Sequence, residues 1–161
     1  MDRNRILAAL ERTQWEYAPN DQAQALQELA QRIARTGRLN RSLISYSNLV
    51  AGVRFQFSNV NNGEPFEIDT HNWHGLHRRI IGDCLGYLSY LSYRDHDFMA
   101  SSLVAGLVEN RPSEIFFEWM QELGAIPNLS EKAITEFWVN EVTKAINWYR
   151  QNPQGFPVVM N

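Results

Sequence analysis

The spacing of apolar residues changes at residue 53, and this change limits the possible folds more than any other feature of the sequence. Upstream of it, apolar residues recur every three or four positions, which is typical of amphipathic α-helices. Val53, Phe55 and Phe57 then alternate with polar residues, which indicates a half-buried strand. Helical spacing returns in the second half of the chain. The sequence therefore predicts a helix-rich α+β fold.

Capping residues and glycines bound most of the helical segments. Asn20 or Asp21 can cap the second helix and Ser130 the last one. Gly37 stands where a helix ends in the left-handed conformation, and Gly124 stops the fifth helix. The turn between the first two helices is short, so we expect them to pack as an antiparallel hairpin. We expect helices at residues 3–17, 21–36, 45–51, 71–93, 113–123 and 131–149.

The long fourth helix, with Asp69 or Thr70 as its cap, contains Gly75, Gly82 and Gly86. Each glycine costs up to about 1 kcal/mol relative to alanine in a helix. Either another element approaches these glycines closely or the helix breaks at one of them.

Three segments predict a small sheet. Residues 53–58 and 65–68 flank a turn sequence and predict a hairpin, and residues 98–105 predict a buried third strand because both faces are small or apolar. We expect a single domain over 1–161, with an N-terminal helical hairpin at 1–40 packed on an α+β core at 41–150. An extended tail follows at 151–161.

Composition and charge exclude several classes of protein. The longest stretch without a charged residue, Ser42 to Val53, is shorter than the roughly 20 apolar residues of a membrane span. The first residues lack the apolar run of a signal peptide. With Cys84 alone no internal disulfide forms, so we expect a reducing cytoplasm and no membrane contact. The common nucleotide-binding, hydrolase and zinc motifs are absent, so we expect no cofactor and leave an enzymatic role open.

Positive charge concentrates near the start of the chain. The net charge is −3, but residues 1–42 carry +2 and residues 43–161 carry −5. Arginines at the end of the second helix either interact favourably with the helix dipole or contact a phosphate or an acidic partner. Arg79 is placed for a surface ion pair with Asp83. The candidate contact residues are Arg32, Arg35, Arg38, Arg41, Arg78 and Arg79.

The second half of the chain is acidic. Glu114, Glu118 and Glu122 recur at four-residue spacing and share one helical face. This face is either solvated or a docking face for a basic partner, including the arginines of a second copy.

Three histidines within seven residues suggest a metal site. His71 and His74 are the candidate ligands, whereas His77 points about 120° away from His71 on a regular helix. The other cluster, Asp95-His96-Asp97, lies about 30 Å away if the helix is continuous. The alternative is a set of exposed or capping histidines.

Two further features predict packing. Tyr87, Tyr90 and Tyr93 recur at three-residue spacing, which is more typical of a core or interface than of a base-stacking platform. Cys84 lies among apolar residues and indicates a buried structural thiol.

Two stretches resemble known proteins. Residues 43–50, LISYSNLV, resemble the Thr-Tyr-Gly-Glu-Leu-Ala type of opening in small helix-turn-helix-like domains, among them the alkyltransferase-like DNA-binding proteins. Alkyl transfer requires a Pro-Cys-His-Arg type of motif that this sequence lacks, so that activity does not carry over. Residues 85–124, with Trp148 and Tyr149, resemble a group of small uncharacterised bacterial proteins. That resemblance implies a bacterial cytosolic origin and no activity.

Three functions stay open. We favour a noncatalytic protein-interaction or regulatory accessory module of the bacterial cytoplasm, because catalytic motifs are absent and the two ends carry opposite charge. Such a module binds a protein partner or a second copy of itself. One alternative is a nucleic-acid-associated accessory protein that uses Arg32 to Arg41. The other is a metal-dependent enzyme with an irregular site of His71, His74, Glu67 and Asp69.

Overall fold

The computed structural model describes residues 2–39 and 43–158. Within these ranges the chain forms six α-helices, two short strands and three 3₁₀ turns, and the fold is α+β and mostly helical. The helices and strands are α1 (Arg3–Arg12), α2 (Ala25–Arg38), β1 (Ile44–Ser45), α3 (Tyr46–Val50), α4 (Gly75–His96), β2 (Val104–Ala105), α5 (Glu114–Leu123) and α6 (Glu131–Gln151). The 3₁₀ turns are Ala18–Asn20, Asn61–Gly63 and Ala100–Leu103.

The sheet is smaller than the sequence predicts. β1 and β2 pair in parallel over two residues each. The expected hairpin of residues 53–58 and 65–68 reduces to one antiparallel bridge between Phe55 and Phe66, whose backbone N···O distances are 2.8 and 2.9 Å. The prediction of about three strands is therefore wrong for the described residues, which contain two.

Serine side chains explain why most of segment 98–105 is a 3₁₀ turn instead of a strand. The Ala100 amide donates to Ser92 Oγ at 2.9 Å, and the Ser101 amide donates to Ser89 Oγ at 2.9 Å. Because these serines of α4 satisfy buried backbone groups, the segment needs no neighbouring strand there. Only its last two residues continue as β2.

The first two helices do not pack as the expected hairpin. α1 buries Ile6 and Leu10 in a cluster with α5 and the start of α6. α2 buries Leu29 and Ile33 in the larger cluster, with α4 and the end of α6. Because α1 ends earlier and α2 begins later than predicted, their connection is long enough for the two helices to reach different neighbours.

Two glycines mark close approaches inside helices. Gly37 does not end α2, contrary to the prediction, and a Cβ there would lie 2.5 Å from Cδ2 of the buried Tyr149. A Cβ on Gly86 would lie 2.8 Å from Trp15. α4 is continuous through both of its internal glycines, so the alternative of a broken helix is wrong.

Capping follows the prediction at most helix ends. The Ala133 amide donates to Ser130 Oγ at the start of α6, and Asp21 accepts from the first amides of α2. Gly124 ends α5 with a φ of 87°. The predicted cap of α4 is wrong, because that helix begins only after His74. Asp69 instead accepts a hydrogen bond from the backbone of the preceding turn.

Residues 153–158 begin with a turn at Pro153 and Gln154 and then run along α2 in the opposite direction. Arg38 Nη1 donates to the Pro153 carbonyl at 3.4 Å, and the Val158 amide donates to Gln27 Oε1 at 3.1 Å. Between these contacts α2 covers about 16 Å.

Candidate functional site

Arg32 holds the end of α3. Its Nη1 donates to the carbonyls of Asn48, Leu49 and Ala51 at 3.0, 3.2 and 2.7 Å. Its Nε pairs with Glu28 at 3.0 Å. These carbonyls end a short helix and lack helical partners, so the guanidinium satisfies them. Arg32 is thus engaged in structural contacts, whereas the sequence made it a candidate phosphate contact.

Arg35 and Arg38 remain exposed at the end of α2. Both line a cleft between α2 and the turn at Pro153 and Gln154. Arg41, the last residue of the predicted arginine series, lies outside the described residues.

Asp83 binds backbone instead of the arginine predicted as its partner. Its carboxylate accepts from the amides of Glu16, Tyr17 and Ala18 at 2.8, 2.9 and 2.8 Å, which anchors the first 3₁₀ turn to α4. The predicted pair with Arg79 is absent from the described contacts. The neighbouring candidates Arg78 and Arg79 are both exposed on the first turns of α4.

The histidine cluster pairs differently from the prediction. The rings of His74 and His77 have centroids 3.7 Å apart, while His71 is exposed in the preceding turn. Within residues 2–39 and 43–158, no three His, Cys, Asp or Glu side chains are grouped so that they could hold a metal ion. Burial and then His74 lower the pKa of His77, and Asp69 opposes this effect.

The second histidine cluster stays separate from the first. α4 runs unbroken from Gly75 to His96, which places about 30 Å between its ends. His96 packs on Trp148 with ring centroids 4.3 Å apart, and burial lowers the pKa of His96. The two clusters therefore cannot share one site.

Replacing His77 by glutamine is expected to reduce the loss of stability at low pH. A His whose folded pKa is lowered binds protons less tightly than in the unfolded chain, so stability falls as the pH drops through the unfolded value of about 6.5. We expect the melting temperature to drop less between pH 7.5 and pH 5.5 in His77→Gln than in the wild type. Equal drops would contradict this role of His77.

The tyrosine stripe of α4 packs internally. Tyr93 is buried, and Trp15 packs against Tyr87 and Tyr90 with ring centroids 5.7 and 6.5 Å away. Cys84 is buried as predicted, and burial raises the pKa of its thiol. Packing therefore accounts for both features without a reaction.

Glu141 is a buried carboxylate that the sequence analysis missed. Its side chain is 0% exposed, its Oε1 accepts from the Met99 amide at 3.0 Å, and its Oε2 lies 2.8 Å from Lys144 Nζ. Burial raises the pKa of Glu141, and Lys144 opposes this effect. Its four-residue spacing from Phe137 and Ala145, both on the apolar face of α6, is the signal that could have revealed it.

The loop after β2 exposes two large apolar side chains. Leu107 is 77% exposed and Val108 is 91% exposed. The loop is nevertheless closed by hydrogen bonds, from the Gly106 amide to the Arg111 carbonyl at 3.0 Å and from the Asn110 amide to the Gly106 carbonyl at 2.9 Å. This stretch follows the predicted third strand, and no sequence pattern marks it as functional.

The far end of this loop is anchored to the rest of the fold. The Ser113 amide donates to the Tyr46 hydroxyl at 3.1 Å. Arg111 pairs with Glu131 at 2.9 Å and lies over the ring of Phe117, 5.7 Å from its centroid. The loop therefore presents its apolar tip from a fixed base.

The acidic face of α5 adjoins this loop. Glu114, Glu118 and Glu122 are all exposed, and none of them forms an ion pair with another described residue. Ile115, 74% exposed, lies on the same side of the helix as Glu118 and Glu122. We call the exposed side chains of this loop and of the following helix the loop–α5 surface: Leu107, Val108, Ile115, Glu114, Glu118 and Glu122.

None of the helices in the described ranges combines the length and hydropathy that a membrane span requires. The chain matches no protein-family model, no curated protein and no solved structure.

Proposed function

We propose that the protein is a noncatalytic interaction module that binds a protein partner through the loop–α5 surface. The observation that carries the proposal is the closed loop that holds Leu107 and Val108 in solvent. The alternatives have less support: Arg32 is engaged within the fold, and the paired histidines lack a third ligand among the described residues. The single buried cysteine and the resemblance to bacterial proteins support a bacterial cytoplasmic location.

Energetics favour a docking role for this loop. Burying a large aliphatic side chain stabilises a folded protein or a complex by roughly 1.5–3 kcal/mol. In the isolated protein, the exposed tip of the loop does not gain this free energy. A loop that is already closed loses little conformational entropy on binding. Leu107 and Val108 are thus suited to anchor a partner.

The surrounding charges indicate the chemistry of that partner. Glu114, Glu118 and Glu122 lie on the same helix as Ile115 and form no ion pair with another described residue. Charge complementarity speeds association and selects partners of opposite charge. The expected partner therefore offers an apolar pocket bordered by lysines or arginines.

We expect the double variant Leu107→Ser/Val108→Ser to lose its partner. Each lost anchor is expected to weaken binding at least about tenfold. The measurement is affinity capture from a lysate of the source organism, followed by titration of the captured protein. Val139→Ser, at an exposed position on α6, is the matched control and should bind like the wild type.

The capture yields of the wild type and the double variant decide whether the loop–α5 surface is the interface. If the double variant captures the same proteins in the same yield as the wild type, the loop–α5 surface is not the interface. Sedimentation of the wild-type chain alone distinguishes the two kinds of partner, a second copy or a different protein. Only self-association depends on the concentration of this chain.

A further inference from the structure

A polar cleft lies between α2 and the turn that begins the segment 153–158. Its volume is about 170 Å³. Four of its lining side chains carry N–H donors, and no carboxylate is among the described residues that line it. The lining residues are Gln31, Ala34, Arg35, Arg38, Pro153 and Gln154.

The two arginines of this cleft are uncompensated. Arg3, Arg32, Arg94 and Arg111 each pair with a carboxylate. Within the described ranges no carboxylate pairs with Arg35 or Arg38, and the hydrogen bond from Arg38 goes to the neutral Pro153 carbonyl. A guanidinium has five N–H donors, so most of those on both side chains remain available to a ligand.

We propose that this cleft binds the dianionic phosphate group of a small phosphomonoester. Two guanidinium groups, three residues apart on one helix face, match the two charges of the dianion, and each planar guanidinium can donate to two phosphate oxygens. By the same measure one water needs about 10–15 Å³, so the cleft has room for several waters or for one phosphate group. Duplex binders neutralise roughly 6–10 phosphates, which two arginines cannot do.

The contact between Arg38 and Pro153 gives the site a fixed wall. The segment that carries Pro153 is held at its other end by the bond between Val158 and Gln27. Phe156, between these contacts, is buried in the larger core. Because the segment is anchored on both sides of the cleft's edge, the cleft exists before any ligand binds. This site lies on α2 and is independent of the loop–α5 surface.

The test is an NMR titration of the full chain, first with inorganic phosphate and then with methyl phosphate, at pH 7.5 and constant ionic strength. We expect saturable shifts of the Arg35 and Arg38 side-chain N–H signals and of the Gln154 amide. Arg35→Gln and Arg38→Gln should each weaken binding about tenfold or more. Arg79→Gln, which removes an exposed arginine outside the cleft, should leave binding unchanged.

Protonation of the ligand gives an independent readout. The second pKa of a phosphomonoester is about 6, so binding should weaken at pH 5.5 if the dianion is the ligand. Shifts that do not saturate, or an equal loss in Arg79→Gln, would overturn the proposal. So would tighter binding of a single-stranded oligonucleotide without a terminal phosphate, because the ligand would then be a phosphodiester backbone.

Discussion

Replacing Glu141 by alanine is expected to lower the free energy of unfolding by about 3 kcal/mol or more. The change leaves the Met99 amide buried without its acceptor and removes the ion-pair partner of Lys144. An unsatisfied buried donor costs about 1–3 kcal/mol, and the lost side chain adds a cavity. For a chain of this size the melting temperature should fall by roughly 6–12 °C. Circular dichroism during thermal and urea unfolding measures both quantities.

Glu136→Ala is the matched control for this experiment. Glu136 lies on the same helix, is 69% exposed and is 4.0 Å from Lys132. Its removal should change the stability by less than about 0.5 kcal/mol, because exposed pairs contribute little. If both variants unfold alike, Glu141 is not a buried carboxylate.

Replacing Gly37 by alanine is expected to destabilise the protein by about 2 kcal/mol, although helix propensity alone predicts that alanine stabilises it. Alanine is favoured over glycine by up to about 1 kcal/mol inside a helix. At Gly37, however, the added methyl group would lie 2.5 Å from Cδ2 and 2.9 Å from Cγ of Tyr149. Tyr149 is fully buried, so its ring cannot move without disturbing the core.

Gly82→Ala should have the opposite sign. Apart from its chain neighbours and the helix's own backbone, no described atom lies within 4 Å of a Cβ at Gly82, which is exposed in the middle of α4. Its replacement should therefore stabilise the protein by up to about 1 kcal/mol. Urea denaturation of both variants measures the difference, and two changes of the same sign would refute the packing at Gly37.

Local sequence signals predicted the elements whose determinants are local. The Ser130 hydroxyl caps α6, and Gly124 ends α5 in the left-handed conformation, as their positions indicated. Gly37 carries the same local signal as Gly124 but serves a long-range contact, so its role depends on Tyr149 far along the chain. A glycine that ends a helix and a glycine that allows close packing look alike in the sequence.

The strand errors have the same origin. Residues 98–103 have strand-like composition, yet Ser89 and Ser92 of the preceding helix take up the backbone bonds that a strand would need. That competition arises only once α4 lies against the segment. Small buried serines at three-residue spacing on a helix are a weak signal for it.

The candidate surfaces were predictable only in part. The exposure of Glu118 and its neighbours followed from helical spacing, whereas Leu107 and Val108 had no periodic pattern to mark them as exposed. The arginine series was visible in the sequence, but the different roles of its members were not. Arg32 turns inward to α3, and Arg35 and Arg38 meet a segment more than a hundred residues later.

The antiparallel course of residues 153–158 along α2 sets an order of events during translation. At about 5–20 residues per second, the ribosome needs several seconds to reach this segment after α2 has emerged. Throughout that interval the apolar face of α2 lacks both α6 and Phe156. The larger core can therefore close only after residue 158 has left the exit tunnel. Until then, the part of α2 that packs on α6 and Phe156 stays uncovered.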